Sequence, residues 1–142
     1  MSYIRHESVI DAEPDDVWAA LRDWGQLHSR LVPGFVVDTQ VDGRDRIVTF
    51  GSGAILRERI IDVDDDARRL AWSIVDGPYT HHNASAQVFT EPDGCARFVW
   101  IADLLPDEVT ESTSAAMQLG IDTIKHTLEE RGHRSGIAGP DR

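Results

Sequence analysis

The spacing of apolar and polar positions changes period three times along the 142 residues. Residues 3 to 11, YIRHESVID, alternate weakly and predict a first strand. Pro14 suits the first position of a helix, and Val17, Trp18, Leu21 and Trp24 then fall at helical spacing. Gly25 interrupts this run, and a short second helix is predicted over residues 26 to 31, stopped by Pro33-Gly34. From there to Leu105 the period is two. It breaks at Asp42-Gly43, Gly51-Ser52-Gly53, Asp64-Asp65-Asp66, Asp76-Gly77-Pro78 and Pro92-Asp93-Gly94. Turn signals at such even spacing predict an antiparallel meander. Pro106-Asp107 opens a long helix in which Thr113, Ala116, Met117, Gly120, Ile121, Ile124 and Leu128 form one stripe. Gly132 is placed to end it, giving a helix over 107 to 131 about 37 Å long. Residues 132 to 142 read as a flexible tail after a single domain of residues 1 to 131.

The order strand, two helices, six strands, long helix is α+β. With no second sheet available, the apolar face of the sheet must bury against the last helix. Polar neighbours identify the inward positions: Leu70, Trp72 and Ile74 on one strand, His82, Ala84, Ala86 and Val88 on another. The last strand is apolar on both faces, and its facing stays open. In AILRERI, residues 54 to 60, Arg57 and Arg59 mark the wet face. Ala54, Leu56 and Ile60 therefore point inward together with a carboxylate, Glu58. The small inward residues Ala54, Ala84, Ala86 and Gly120 remove volume from the middle of the layer. That fits either a cavity or a close helix–sheet contact.

Composition narrows the classes. A net charge of -11 argues against nucleic acid and anionic membrane surfaces, which call for Lys/Arg patches. No apolar run is long enough for membrane insertion. The single cysteine, Cys95, allows no internal disulfide, and residues 1 to 10 lack the basic flank and apolar run of a signal peptide. Both point to a cytoplasmic protein.

Three blocks carry a family resemblance: EPDDVWAALRDWGQLHSRLVPG, GAILRERIIDVDDDARRLAWSIVDGP, and HHNASAQVFTEPDGCARFVW with its Asn83 and Trp100. Over about residues 3 to 131 the chain resembles the polyketide cyclase/dehydrase family of the START-like (pollen-allergen-like, SRPBCC) helix-grip superfamily. The resemblance implies a seven-stranded curved antiparallel sheet wrapped around the long C-terminal helix, with a ligand cavity between them. It also implies either carriage of lipid- or polyketide-like molecules or cyclase chemistry. The plant abscisic-acid receptors look like distant relatives, with a Glu-Arg pair matching Glu58-Arg59. Their gate loop is longer than Gly51-Ser52-Gly53, and their hormone-binding lysine has no equivalent near Pro33-Gly34-Phe35.

The cavity is expected to be lined by Leu56, Glu58, Trp72, Ile74, His82, Ala84, Ala86, Met117, Gly120, Ile121 and Ile124. A buried carboxylate needs a partner or a wet cavity. Glu58 is thus either a structural ion pair or the polar anchor of a ligand, with His82 two strands away as a possible partner in acid–base work. His6 is a weaker candidate, and His28 and Arg30 sit towards the implied pocket mouth. His81 and His82 point to opposite faces of a strand, and no tetrahedral ligand spacing exists, so no metal is expected. With neither a phosphate-binding glycine loop nor a nucleophile elbow, no cofactor is expected. Three functions follow in order of support. The first is binding of a small hydrophobic or aromatic molecule, by a monomer or homodimer. The second is a cofactor-independent cyclase, dehydratase or lyase using Glu58 and His82. The third is a partner-regulated or toxin-like small protein with an incidental cavity.

Overall fold

The structure, a computed structural model, describes residues 2–138. β1 (Ser2–Ile10) is followed by α1 (Pro14–Arg22) and two helical turns, Trp24–Gln26 and Leu27–Leu31. The meander comprises β2 (Val36–Asp42), β3 (Asp45–Phe50), β4 (Ile55–Asp64), β5 (Arg69–Ile74), β6 (His81–Thr90) and β7 (Ala96–Leu105). After a short turn at Asp107–Val109, α2 runs from Thr110 to Ala138. The strands form one open seven-stranded sheet in the order β1-β7-β6-β5-β4-β3-β2, antiparallel throughout. Irregularities at Val36/Asp38 and Ile60/Asp62 bend the sheet and increase its twist.

The facing of β7 is now fixed. Ala96, Phe98, Ala102 and Leu104 are buried on the helix side with Trp100 between them, opposite Ile4, Ile10, Ala84, Ala86 and Val88 on neighbouring strands. His6 also faces the helix, its Nε2 3.0 Å from Ser114 Oγ.

α2 is 29 residues, about 43 Å, and it is tied down along its length. Lys125 Nζ donates to the Val9 carbonyl at 2.5 Å, and Glu129 accepts from the Asp11 amide at 2.9 Å. Arg131 reaches back to the carbonyls of Ser29 and Arg30 at 2.5 and 3.0 Å. The helix does not end at Gly132. It continues to Ala138, so most of the predicted tail is helical, and residues 139–142 lie outside the described residues.

Gly120 has a specific steric reason. A Cβ there would stand 2.9 Å from Trp100 Cζ3 and 3.3 Å from Phe35 Cε2. The glycine lets the helix backbone rest on the Trp100 ring, which corrects the reading of Gly120 as a cavity residue. Gly120→Leu is therefore expected to strain this contact and to destabilise the protein by about 1–3 kcal/mol. Gly120→Ala should cost less, because its helix propensity returns about 1 kcal/mol. Urea unfolding of both variants checks this, and an unchanged midpoint for Gly120→Leu would contradict the close packing.

Candidate functional site

Between α2 and the concave face lies a cavity of about 440 Å³. Leu56, Trp72, Ile74, Phe98 and Trp100 form its sheet wall; Met117, Ala116 and Ile124 come from α2. Leu27, Leu31, Val32, Phe35 and Val36 close one side, and Phe50 to Ser52 and Ala54 another. Where Gly34-Phe35 meets Phe50-Gly51, the two rings stack edge-on at 5.5 Å, and Gly51 N–H donates to the Phe35 carbonyl at 2.9 Å. Gly51 itself lies against the Gly34 carbonyl, where a Cβ could not fit.

Of the expected lining, Leu56, Glu58, Trp72, Ile74, His82, Met117 and Ile124 come together around this space. Ala84, Ala86 and Ile121 do not reach it. They are buried in the close-packed part of the layer, as is Gly120 beneath Trp100. His28 bonds Thr39 Oγ1 through Nδ1 at 3.0 Å, and Arg30 pairs with Asp23 at 2.9 Å; neither borders the cavity.

Glu58 has a partner that sequence reasoning missed. Arg46 stands directly opposite it on β3, and both side chains are buried. Arg46 donates from Nε to Oε1 of Glu58 at 2.8 Å, and its Nη2 lies 2.7 Å from the same oxygen in the ion pair. Its Nη1 donates to the Trp24 carbonyl at 3.1 Å, and its guanidinium lies 3.7 Å over the Trp24 ring. Burial lowers the Arg46 pKa, and the charge of Glu58 opposes that shift. The signal was present in the sequence: Arg46, Val48 and Phe50 alternate onto one face, so Arg46 shares the inward side with apolar neighbours. On the outer face of the same hairpin, Asp45 takes Arg59 at 2.8 Å and Arg57 at 2.9 Å. These bonds, Arg59's first, hold its carboxyl down at about 2.

His82 is buried at the far end of the same cross-strand row. Glu58 pairs with Ile74, and the Ile74 amide donates to His82 Nδ1 at 3.0 Å. The imidazole thus replaces a ladder acceptor where β5 and β6 part. Its ring packs edge-on to Tyr79 with centroids 5.0 Å apart, and Tyr79 Oη lies 2.8 Å from Thr113 Oγ1. Burial, with a smaller contribution from His81, pushes its pKa down to about 4. His82 is therefore neutral at ordinary pH, with Nδ1 as its acceptor and the ring proton on Nε2. Ile74, Tyr79 and His82 also border an open groove of about 530 Å³ on the other side of the sheet, with His81, Asn83 and Asp103.

No group of three or more metal-ligating side chains occurs among the described residues. No helix among them is long and apolar enough to cross a membrane. Cys95 bonds Asp11 at 3.6 Å, and burial raises its pKa, which favours an unreactive thiol.

Residues 1–129 match the family described as polyketide cyclase / dehydrase and lipid transport, and the chain belongs to that family. Solved structures agree on the fold. A protein from Thermobifida fusca is 26% identical, with a TM-score of 0.75 over 94% of this chain and 95% of that one. A START superfamily protein from Mycobacterium smegmatis is 7% identical, with a TM-score of 0.71 over 93% and 97%. The di-domain ARO/CYC protein BexL from the BE-7585A biosynthetic pathway is 15% identical, with a TM-score of 0.79. The match spans 91% of this chain and 47% of BexL, one half of that protein. No curated protein matches.

Two measurements test the electrostatics of the site. Arg46→Met leaves a buried carboxylate without its partner and should cost about 3–5 kcal/mol, whereas Arg46→Met with Glu58→Leu should recover most of that loss. Chemical denaturation of the two variants separates these outcomes. For His82, the folded pKa lies below its ordinary 6.5, so the unfolded chain takes up the proton first as pH falls. Its contribution is complete above pH 6.5 and is lost down to about pH 4, up to about 3 kcal/mol. His82→Asn, which keeps an acceptor for Ile74, should flatten the stability profile between those limits.

Proposed function

We propose that the protein binds one small apolar or aromatic molecule, polyketide- or lipid-like in character, in the cavity between α2 and the sheet. The observation that carries this reading is the space itself. About 440 Å³ lies within the range of small-molecule sites, and its walls are mostly aliphatic and aromatic side chains with a few convergent polar groups. The family description, which joins cyclases with lipid transport, supports the same class of ligand.

A second reading, a cofactor-independent cyclase or dehydratase, is favoured by one arrangement. Glu58 and His82 border the same space, one as a carboxylate and the other as a neutral imidazole with its ring proton on Nε2. A carboxylate can accept a proton next to a carbonyl, while a neutral imidazole polarises that carbonyl. Turnover of a bound ketone, lost in Glu58→Gln with binding retained, would distinguish catalysis from carriage.

The binding reading is tested by native mass spectrometry of the purified protein, which should show a co-purified small molecule, and by titration with the neutral dye Nile red. Filling the cavity with Ala116→Phe or Met117→Trp should weaken dye binding about tenfold or more while a cooperative melt is kept. Undiminished binding in both folded variants would place the dye elsewhere and count against the cavity.

A further inference from the structure

The polar groups around the cavity are few, and two of them have an unused hydrogen-bonding atom. Both contacts from Arg46 fall on Oε1 of Glu58, which leaves Oε2 without a partner among the described residues. Glu58 is only 6% exposed and borders the cavity. As the anionic half of an ion pair, it accepts hydrogen bonds and cannot donate. His82 is the reverse case. Its Nδ1 accepts from the Ile74 amide, so the ring proton sits on Nε2, which has no partner among the described residues. The neighbouring hydroxyls of Tyr79 and Thr113 bond to one another at 2.8 Å, and neither is bonded to the His82 ring.

We infer that the cavity selects an uncharged, elongated apolar molecule with a hydroxyl-type donor at one end and a carbonyl-type acceptor at the other. The donor meets Oε2 of Glu58, and the acceptor meets Nε2–H of His82. The inference rests on the binding function proposed above and specifies its ligand class and orientation. Glu58 on β4 and His82 on β6 flank Ile74 on β5, so the strands carrying them are two spacings, about 10 Å, apart. The imidazole leans back onto Ile74, the residue paired with Glu58, so the two groups border the cavity as separate points, and in this inference the ligand meets them with two polar atoms set apart on one apolar body. Charge follows from the same geometry. Arg46 and Glu58 already cancel, so a ligand carboxylate meets the open oxygen of Glu58 and is repelled. A ligand cation finds a carboxylate already neutralised and bears the cost of its own burial.

A matched set of naphthalenes tests this: naphthol, acetylnaphthalene, an acetyl-naphthol with its two oxygens at opposite ends, and a hydroxy-naphthoate. Affinities are read by displacement of Nile red from the full chain. The acetyl-naphthol is expected to bind about tenfold tighter than either singly substituted compound, and hydroxy-naphthoate more weakly than all three. In Arg46→Met with Glu58→Leu, the preference of acetyl-naphthol over acetylnaphthalene should collapse to about one. In His82→Asn, its preference over naphthol should collapse instead. A purely structural role for either residue would leave these ratios unmoved. Equal binding of the three neutral compounds would leave the cavity as a binding site and overturn the donor–acceptor selection. Preferred binding of hydroxy-naphthoate would overturn it in favour of an anion site on Arg46. Failure of every compound, Nile red included, would overturn both the selection and the binding function.

Discussion

The buried ion pair between Arg46 and Glu58 is the constraint around which the concave face is arranged. Two charges can be buried in an otherwise apolar layer only if they meet with good geometry, which fixes the register of β3 against β4. A slip of one residue would turn Glu58 outward and bring Arg57 or Arg59 into the core. The outer face agrees with this, since Asp45 sits between Arg57 and Arg59 in the same register. Arg46 also carries the constraint beyond the sheet. Its stacking on Trp24 and its bond to the Trp24 carbonyl hold the segment after α1 over the end of the cavity.

The layer between sheet and helix has a tight zone and an open one, and each depends on the other. Gly120 rests on Trp100, with Ala84, Ala86 and Ala102 beneath, so the helix backbone comes close there. Further along, Met117 and Ile124 face Leu56, Trp72 and Ile74 across unfilled space. The ties to Val9, Asp11, Ser29 and Arg30 keep the helix from tilting into that space. Small residues thus create volume at a distance from themselves, by setting where the helix must sit.

Much of this was legible from alternation. The strand order of the meander, the inward facing of Glu58 and His82, and the covering helix all follow from periods of two and 3.6 interrupted by turn residues. The cavity lining was less legible, for identifiable reasons. A small inward residue looks the same whether it borders a void or a large neighbour; the neighbour here, Trp100, lies on a strand whose two faces are both apolar. Phe35 and Phe50 border the cavity at strand ends and loops, where period carries little information. Arg46 was missed because a charged residue is ordinarily assigned to the wet face, although Val48 and Phe50 in phase with it pointed inward. Gly132 resembles a helix stop, but the bonds made by Glu129 and Arg131 keep the backbone helical through it.

The position of β1 beside β7 has a consequence for how the chain is made. Ile4 lies opposite Ala102, so the first strand of the domain pairs with the last strand of the meander. Loop closure across nearly the whole domain must precede that pairing, which places it among the slow, non-local contacts. Until then Ile4 and Ile10 have no sheet to join, and β7 presents a bare edge. A nascent chain carrying this domain is therefore exposed to strand-to-strand aggregation until β7 has been made, and the final register of β1 forms only after that.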